Sequence, residues 1–201
     1  MSIGTKKSLP HLGSHLIALL VATALIPGVS SAQSAQMLSL QVSGLGAIPF
    51  GGGLSNVTSG FGWEGQLRLN PSAFSFGAGV EQTFHEVSGV AGRTIVLLGG
   101  FVEPRYVVDF GSDNAVLYIS GRAALSRLTL EEGTFKSTGT GYTLNGGGGF
   151  MIRMNDRTNL DLGATIGYKD LGIVDVPAGG RFDLGTGINV VARVGLAIGI
   201  G

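Results

Sequence analysis

From Leu38 onward, residue character alternates with a period of two, and it does so in eight separate stretches. In Phe61–Asn70 the odd positions are Phe61, Trp63, Gly65, Leu67 and Leu69; the even ones are Gly62, Glu64, Gln66, Arg68 and Asn70. Phe74, Phe76, Ala78, Val80 and Phe84 likewise share one parity, against Ser75, Gly77, Gly79, Glu81, Thr83 and His85. Successive side chains of a strand point to opposite faces, so each stretch makes a strand with one apolar face. The other six apolar faces run through Leu38–Ile48, Val96–Val108, Leu117–Leu125, Tyr142–Met154, Leu160–Tyr168 and Ile188–Ile200. Only Gln82 on these faces is conventionally polar, and none of their residues is charged. Every charge within the stretches has the opposite parity: Glu64, Arg68, Glu81, Glu103, Arg105, Asp109, Arg122, Arg153, Asp161, Lys169 and Arg193. After Gln36 no apolar stripe at helical spacing lasts three turns.

Alternation does not say which face is inside. A soluble, lipocalin-like barrel would turn the apolar face inward and the charged face to water. Soluble surfaces carry about 25–35% charged residues, whereas this chain has 13% overall and dilutes its polar faces with many of its 36 glycines. Aromatic residues gather toward the ends of the apolar faces, at Phe61, Trp63, Phe74, Phe84, Tyr142 and Tyr168. That placement suits the aromatic girdles of a membrane barrel. The apolar face therefore points outward, to lipid.

The connections agree. Pro49–Gly60, Leu130–Gly139 and Asp170–Thr186 are long and Glu86–Gly92 intermediate, while Pro71-Ser72, Gly111–Asn114 and Asp156–Thr158 are tight. Outer-membrane barrels alternate short periplasmic turns with longer extracellular loops and keep both termini periplasmic. Hairpin geometry then predicts contacts across the inner wall. A turn centred on Ser112-Asp113 places Glu103 opposite Arg122, and a three-residue turn Asp156–Thr158 places Arg153 opposite Asp161.

Met1–Ala32 reads as a secretory signal. Lys6 and Lys7 precede the apolar stretch Leu16–Ile26, Pro27-Gly28 ends it, and Ser30-Ser31-Ala32 offers a cut before Gln33. That stretch is too short to span a bilayer of about 30 Å. The remainder, residues 33–201, is one barrel domain, with no peptidoglycan-binding domain after the last strand. The chain has no Cys and a formal net charge of +0. These exclude disulfide frameworks and Cys-based zinc sites, and leave no electrostatic footprint for nucleic acid.

Val102-Glu103-Pro104-Arg105-Tyr106 and Leu117-Tyr118-Ile119-Ser120-Gly121-Arg122 resemble the small outer-membrane β-barrels of the OmpA/OmpX-like kind. Gly146–Gly149 before Phe150 and Leu160-Asp161-Leu162-Gly163 are similar to the same group, and the resemblance covers Met37 to Gly201. It implies an all-β, eight-stranded, antiparallel up-and-down barrel of the cell outer membrane, for many members without an assigned activity. It also implies outer-membrane lipid and lipopolysaccharide as surroundings, the barrel-assembly machinery as a partner in biogenesis, and a monomer. The ending Ala197-Ile198-Gly199-Ile200-Gly201 lacks the terminal aromatic residue such chains often carry.

An eight-stranded interior is just wide enough for side chains to fill. Arg68, Arg105, Arg122, Arg153 and Arg193 with Glu64, Glu81, Glu103 and Asp161 then make a packed polar plug. The alternative is a narrow porin-like path past inner-face glycines such as Gly77, Gly79 and Gly147. No enzyme is expected. His85 is the only histidine after the signal, and a rim site with Glu81, Glu86 and Ser88 would match no recognised motif. No metal or cofactor is expected either. One His without Cys makes no cluster, and Asp170, Asp175 and Asp183 do not have calcium-loop spacing. Gly51-Gly52-Gly53 and Gly146–Gly149 precede no helix that could cradle phosphate. The function expected is a structural or surface-interaction scaffold, with Ile173, Val174 and Val176 of the longest loop as its contact residues.

Overall fold

The computed structural model describes residues 36–200, apart from 90, 91, 113, 133, 134 and 176–180; the expected signal sequence, Met1–Ala32, lies outside the described residues. The described residues form ten strands: β1 (Leu38–Phe50), β2 (Gly60–Leu69), β3 (Phe74–Glu86), β4 (Arg93–Val108), β5 (Ala115–Glu132), β6 (Phe135–Arg153), β7 (Thr158–Asp170), β8 (Ile173–Asp175), β9 (Arg181–Asp183) and β10 (Thr186–Ile200). Each long strand pairs antiparallel with its neighbours, and β1 pairs with both β2 and β10, so eight of the strands close into a barrel. The short hairpin β8–β9 docks on the outer reach of β6, where Gly139 faces Val174.

The registers fix the geometry of the wall. A path at right angles to the strands runs Leu40, Leu67, Ala78, Val102, Ala123, Leu144, Tyr168, Ile188 and returns to β1 at Phe50. That stagger of ten residues around eight strands corresponds to a tilt of roughly 40°. All nine residues of the path have the apolar parity, and they stand on the outer surface. Inward residues are buried and outward ones exposed in strict alternation along β1. Leu69, Leu98, Leu125, Ile119, Leu144 and Val194 are each at least 50% exposed, which a wall facing water would not tolerate and a wall facing lipid requires.

Two expected loops are partly strand. Leu130–Gly139 is the tip of the long β5–β6 hairpin, and Asp170–Thr186 contains β8–β9. Apolar alternation stops where the strands leave the apolar belt, because Arg127, Thr129, Thr138 and Thr140 take over the outward positions. β-Branched threonine still supports a strand there. A third difference is a turn. The β6–β7 connection spans four residues, 154–157, and its Asn155 Oδ1 accepts from the backbone N–H of Arg157 (3.0 Å) and Thr158 (2.8 Å). This closed Asn turn shifts the register, so Arg153 faces Asn159 and Asp161 faces Met151. The expected Arg153–Asp161 pair is therefore not formed.

Candidate functional site

The inner wall carries buried polar residues along its length, with a charged middle layer and an apolar cluster toward each end. Glu103 on β4 is the hub of the charged layer, because β2, β5 and β10 each present an arginine at that height. Its carboxylate accepts from Arg68 (3.0 Å), Arg122 (3.1 Å), Arg193 (2.8 and 3.3 Å) and the Nε of Arg105. Asp161 accepts from Arg105 and from the Tyr118 hydroxyl (2.8 Å), which itself accepts from Arg193 (2.9 Å). Glu64 takes Arg122 (2.7 Å) and Arg193 (3.3 Å), and Glu81 takes Arg122. Aromatic faces complete the layer, with the Arg122 guanidinium 3.6 Å from the Phe101 ring centre and that of Arg105 4.2 Å from Tyr118. Four arginines and four carboxylates pair here, as burial of charge demands, and buried Lys169 lies beside Glu81 at the edge of the layer.

The register expected between β4 and β5 is the one observed, since Val102 faces Ala123 and Arg105 faces Ser120 on either side of Glu103 and Arg122. Arg153 stands apart from the hub, half-buried at the end of β6, because of the turn at Asn155.

An apolar cluster lies toward each end, among buried polar residues such as Thr83, His85 and Asn189 near the mouth and Ser39, Ser75 and Asn159 near the short turns. Toward the long loops, Leu54, Ile95, Leu97, Leu128, Leu171 and Val174 form one cluster, joined by Val57, Val87, Leu130 and Leu184. Leu54 reaches it because Gly51 and Gly52 adopt φ of 72° and 54° and lead into a short 3-10 turn, Gly52–Asn56, that folds over the mouth. Toward the short turns, Val107, Val116, Tyr118 and Met151 form a second cluster. Parity alone missed both clusters. Their signal is present, however, in the apolar Ile95, Leu97 and Val107 that share the parity of Glu103.

His85 belongs to the mouth. Its side chain is buried, with Nδ1 3.0 Å from the Thr58 carbonyl and Nε2 3.2 Å from the Thr83 hydroxyl. A carbonyl only accepts, so Nδ1–H donates to it and ties the loop ahead of β2 to β3. Glu86 and Ser88 are exposed and Glu81 is engaged by Arg122, so a His–Glu–Ser arrangement is not assembled at the rim. The Oδ1 atoms of Asp170 and Asp183 accept from the N–H of Gly172 (2.7 Å) and Gly185 (2.8 Å), which makes them turn caps. The side chain of Asp175 is outside the described residues, and no metal-ligating group is found among those described. Val174, expected as a loop contact, is only 1% exposed because it fills the mouth, while Ile173 is exposed and Val176 lies outside the described residues.

The aromatic residues expected to form girdles stand on the outward parity of their strands. Phe61 and Phe84 stack at 5.6 Å, Tyr142 and Tyr168 at 5.9 Å, and Phe74 faces Tyr106. Phe50, Phe76, Tyr106 and Phe150 are further exposed aromatic residues on this face. Trp63 accounts for Gln82, the polar exception on the apolar faces, since its Nε1 donates to Gln82 Oε1 at 3.1 Å.

No family model and no curated protein matches the chain. Solved structures do. The crystal structure of Neisserial surface protein A (NspA) is similar with a TM-score of 0.58 and 16% identity, over 81% of this chain and 97% of that one. The outer membrane protein OprG from Pseudomonas aeruginosa is similar with a TM-score of 0.57 and 13% identity, over 85% and 98%. The fold is the closed eight-stranded antiparallel barrel of small outer-membrane proteins.

Proposed function

We propose that this chain is an integral outer-membrane barrel closed to solutes, a structural scaffold that presents its outer hairpins to the cell surface. The observation that carries this reading is the layering of the lumen. A conducting path needs continuous polar wetting, and apolar constrictions close pores by excluding water. Here fully buried, mutually paired charged side chains fill the middle of the lumen, and an apolar cluster stands toward each end. The fold shared with outer-membrane proteins and the exposed apolar belt support the location. The surroundings follow: lipopolysaccharide beside the outer hairpins, the barrel-assembly machinery during insertion, and a monomeric barrel. Ile173 on β8 and Arg127 on the outer reach of β5 are exposed and available for contact. Planar-bilayer recording of the purified barrel tests the proposal. Silent membranes carrying folded protein are expected, and discrete conductance steps would favour a narrow channel instead.

A further inference from the structure

We infer that the lumen holds one small monovalent anion of the halide class against the ammonium of Lys169, in the chamber between the charged layer and the mouth. The buried charges do not balance. Arg68, Arg105, Arg122 and Arg193 are matched by Glu64, Glu81, Glu103 and Asp161, and each of these carboxylates already accepts from an arginine. Lys169 is a fifth cation. It has the inward parity of β7, lies further toward the long loops than Asp161, and is only 6% exposed. Glu81 and Arg122 are the charged groups that face it, with His85 nearby. Lys169 makes no ion pair with Glu81, which holds Arg122 instead, and no hydrogen bond among the described residues. Arg93 and Arg153 stand half-buried at the two rims with partners of their own, outside this balance. The interior therefore carries one positive charge more than its carboxylates cancel.

The surroundings of Lys169 are polar. It faces Thr143 on β6 and Gly187 on β10, and in the next inward row Gly167 lies between Asn145 and Asn189. Thr143, Asn145, Thr165 and Asn189 are all buried. A Cβ at Gly167 would meet Asn145 Oδ1 at 2.6 Å, so that amide leans over the bare strand beneath Lys169. The Oδ1 atoms of Asn145 and Asn189 receive no hydrogen bond from the chain, the mark of a wetted pocket. Leu54 closes the mouth side, since a Cβ at Gly187 would meet its Cγ at 2.8 Å. A buried ammonium without a carboxylate takes a counterion or gives up its proton. The hydroxyls of Thr143 and Thr165 can donate to an anion, which selects the counterion. An eight-stranded interior leaves room beside its side chains only for an ion near the size of water, which excludes phosphate and organic acids. A silent barrel can hold such an ion, so the inference does not depend on the scaffold reading.

Urea unfolding of the refolded barrel in lipid, with chloride exchanged for gluconate at constant ionic strength, tests this directly. Raising chloride about tenfold is expected to favour the folded wild type by about threefold or more, and by at most the tenfold that one bound ion allows. Lys169→Met abolishes the response, and Lys136→Met at the exposed hairpin tip leaves it unchanged. Equal chloride responses in the wild type and Lys169→Met, or none in the wild type, would overturn the inference. Crystals of the wild type grown in bromide give a second readout that needs no variant to fold. An anomalous peak is expected inside the lumen beside Lys169, and peaks confined to the loops or the outer surface would overturn the inference. The heat-dependent gel shift reports barrel closure separately, and its loss in the wild type would instead strike at the barrel reading.

Discussion

Replacing Glu103 with Gln removes one charge from the centre of the barrel, and the cost follows from its partners. Four guanidinium groups converge on this carboxylate, those of Arg68, Arg122 and Arg193 at 2.8 to 3.3 Å. The side chain is fully buried, so water cannot take its place. After Glu103→Gln one oxygen still accepts, but the amide nitrogen turns donors toward donors. The hub falls from four carboxylates against four arginines to three against four. Breaking a buried pair by removing one partner costs about 3–5 kcal/mol, and that is the expected loss of stability. Glu81→Gln is the internal control. Glu81 is 17% exposed and stands outside the centre of the hub; it meets Arg122, which keeps Glu64 and Glu103, and lies near Lys169, so its loss costs less than that of Glu103, about 1 kcal/mol. Urea unfolding of the refolded barrel in lipid, followed by gel mobility, measures both. Equal midpoints for the two variants would refute the hub.

The same wall sets the remaining outcomes. Leu54→Ala, which empties the centre of the mouth cluster, lowers stability by about 2–4 kcal/mol in the same titration; an unchanged midpoint would mean the loop does not pack there. Gly163→Val drives a side chain into the Tyr118 hydroxyl and the Arg193 guanidinium, and it costs about 1–3 kcal/mol or prevents closure. Gly121→Ala on the outer face meets nothing within 4 Å, so it folds with at least wild-type stability. Trp63 is the chain's single tryptophan and is exposed on the outer face, and as a girdle residue it should be quenched more by lipids brominated near the headgroup than by lipids brominated at the chain ends. Absent quenching would place Trp63 inside.

Period two, turn length and aromatic placement carry the fold because each reports a face-by-face property of a single strand. The eight wall strands, the outward direction of Phe61 and Trp63, and the Glu103–Arg122 contact were legible for that reason. The rest depends on details that parity does not encode. The side chain of Asn155 closes a four-residue turn, which moves Asp161 from Arg153 to Arg105 and Arg193. Threonines extend β5 and β6 beyond the lipid-facing segment, where apolar alternation no longer marks a strand. Leu54 reaches the mouth only through the positive φ of Gly51 and Gly52, and Val174 only through β8 docking on β6. His85 is a rim residue in sequence and an anchor for the Thr58 carbonyl in space.

The direction of the apolar face underlies every step, and heat-modifiability tests it most directly. A closed barrel in lipid has every strand edge paired, so it resists SDS until it is heated. The outer-membrane fraction, run unboiled and boiled, should contain a band whose mobility shifts on boiling. An unshifted band found in the soluble periplasmic fraction would contradict the account and turn the apolar face inward.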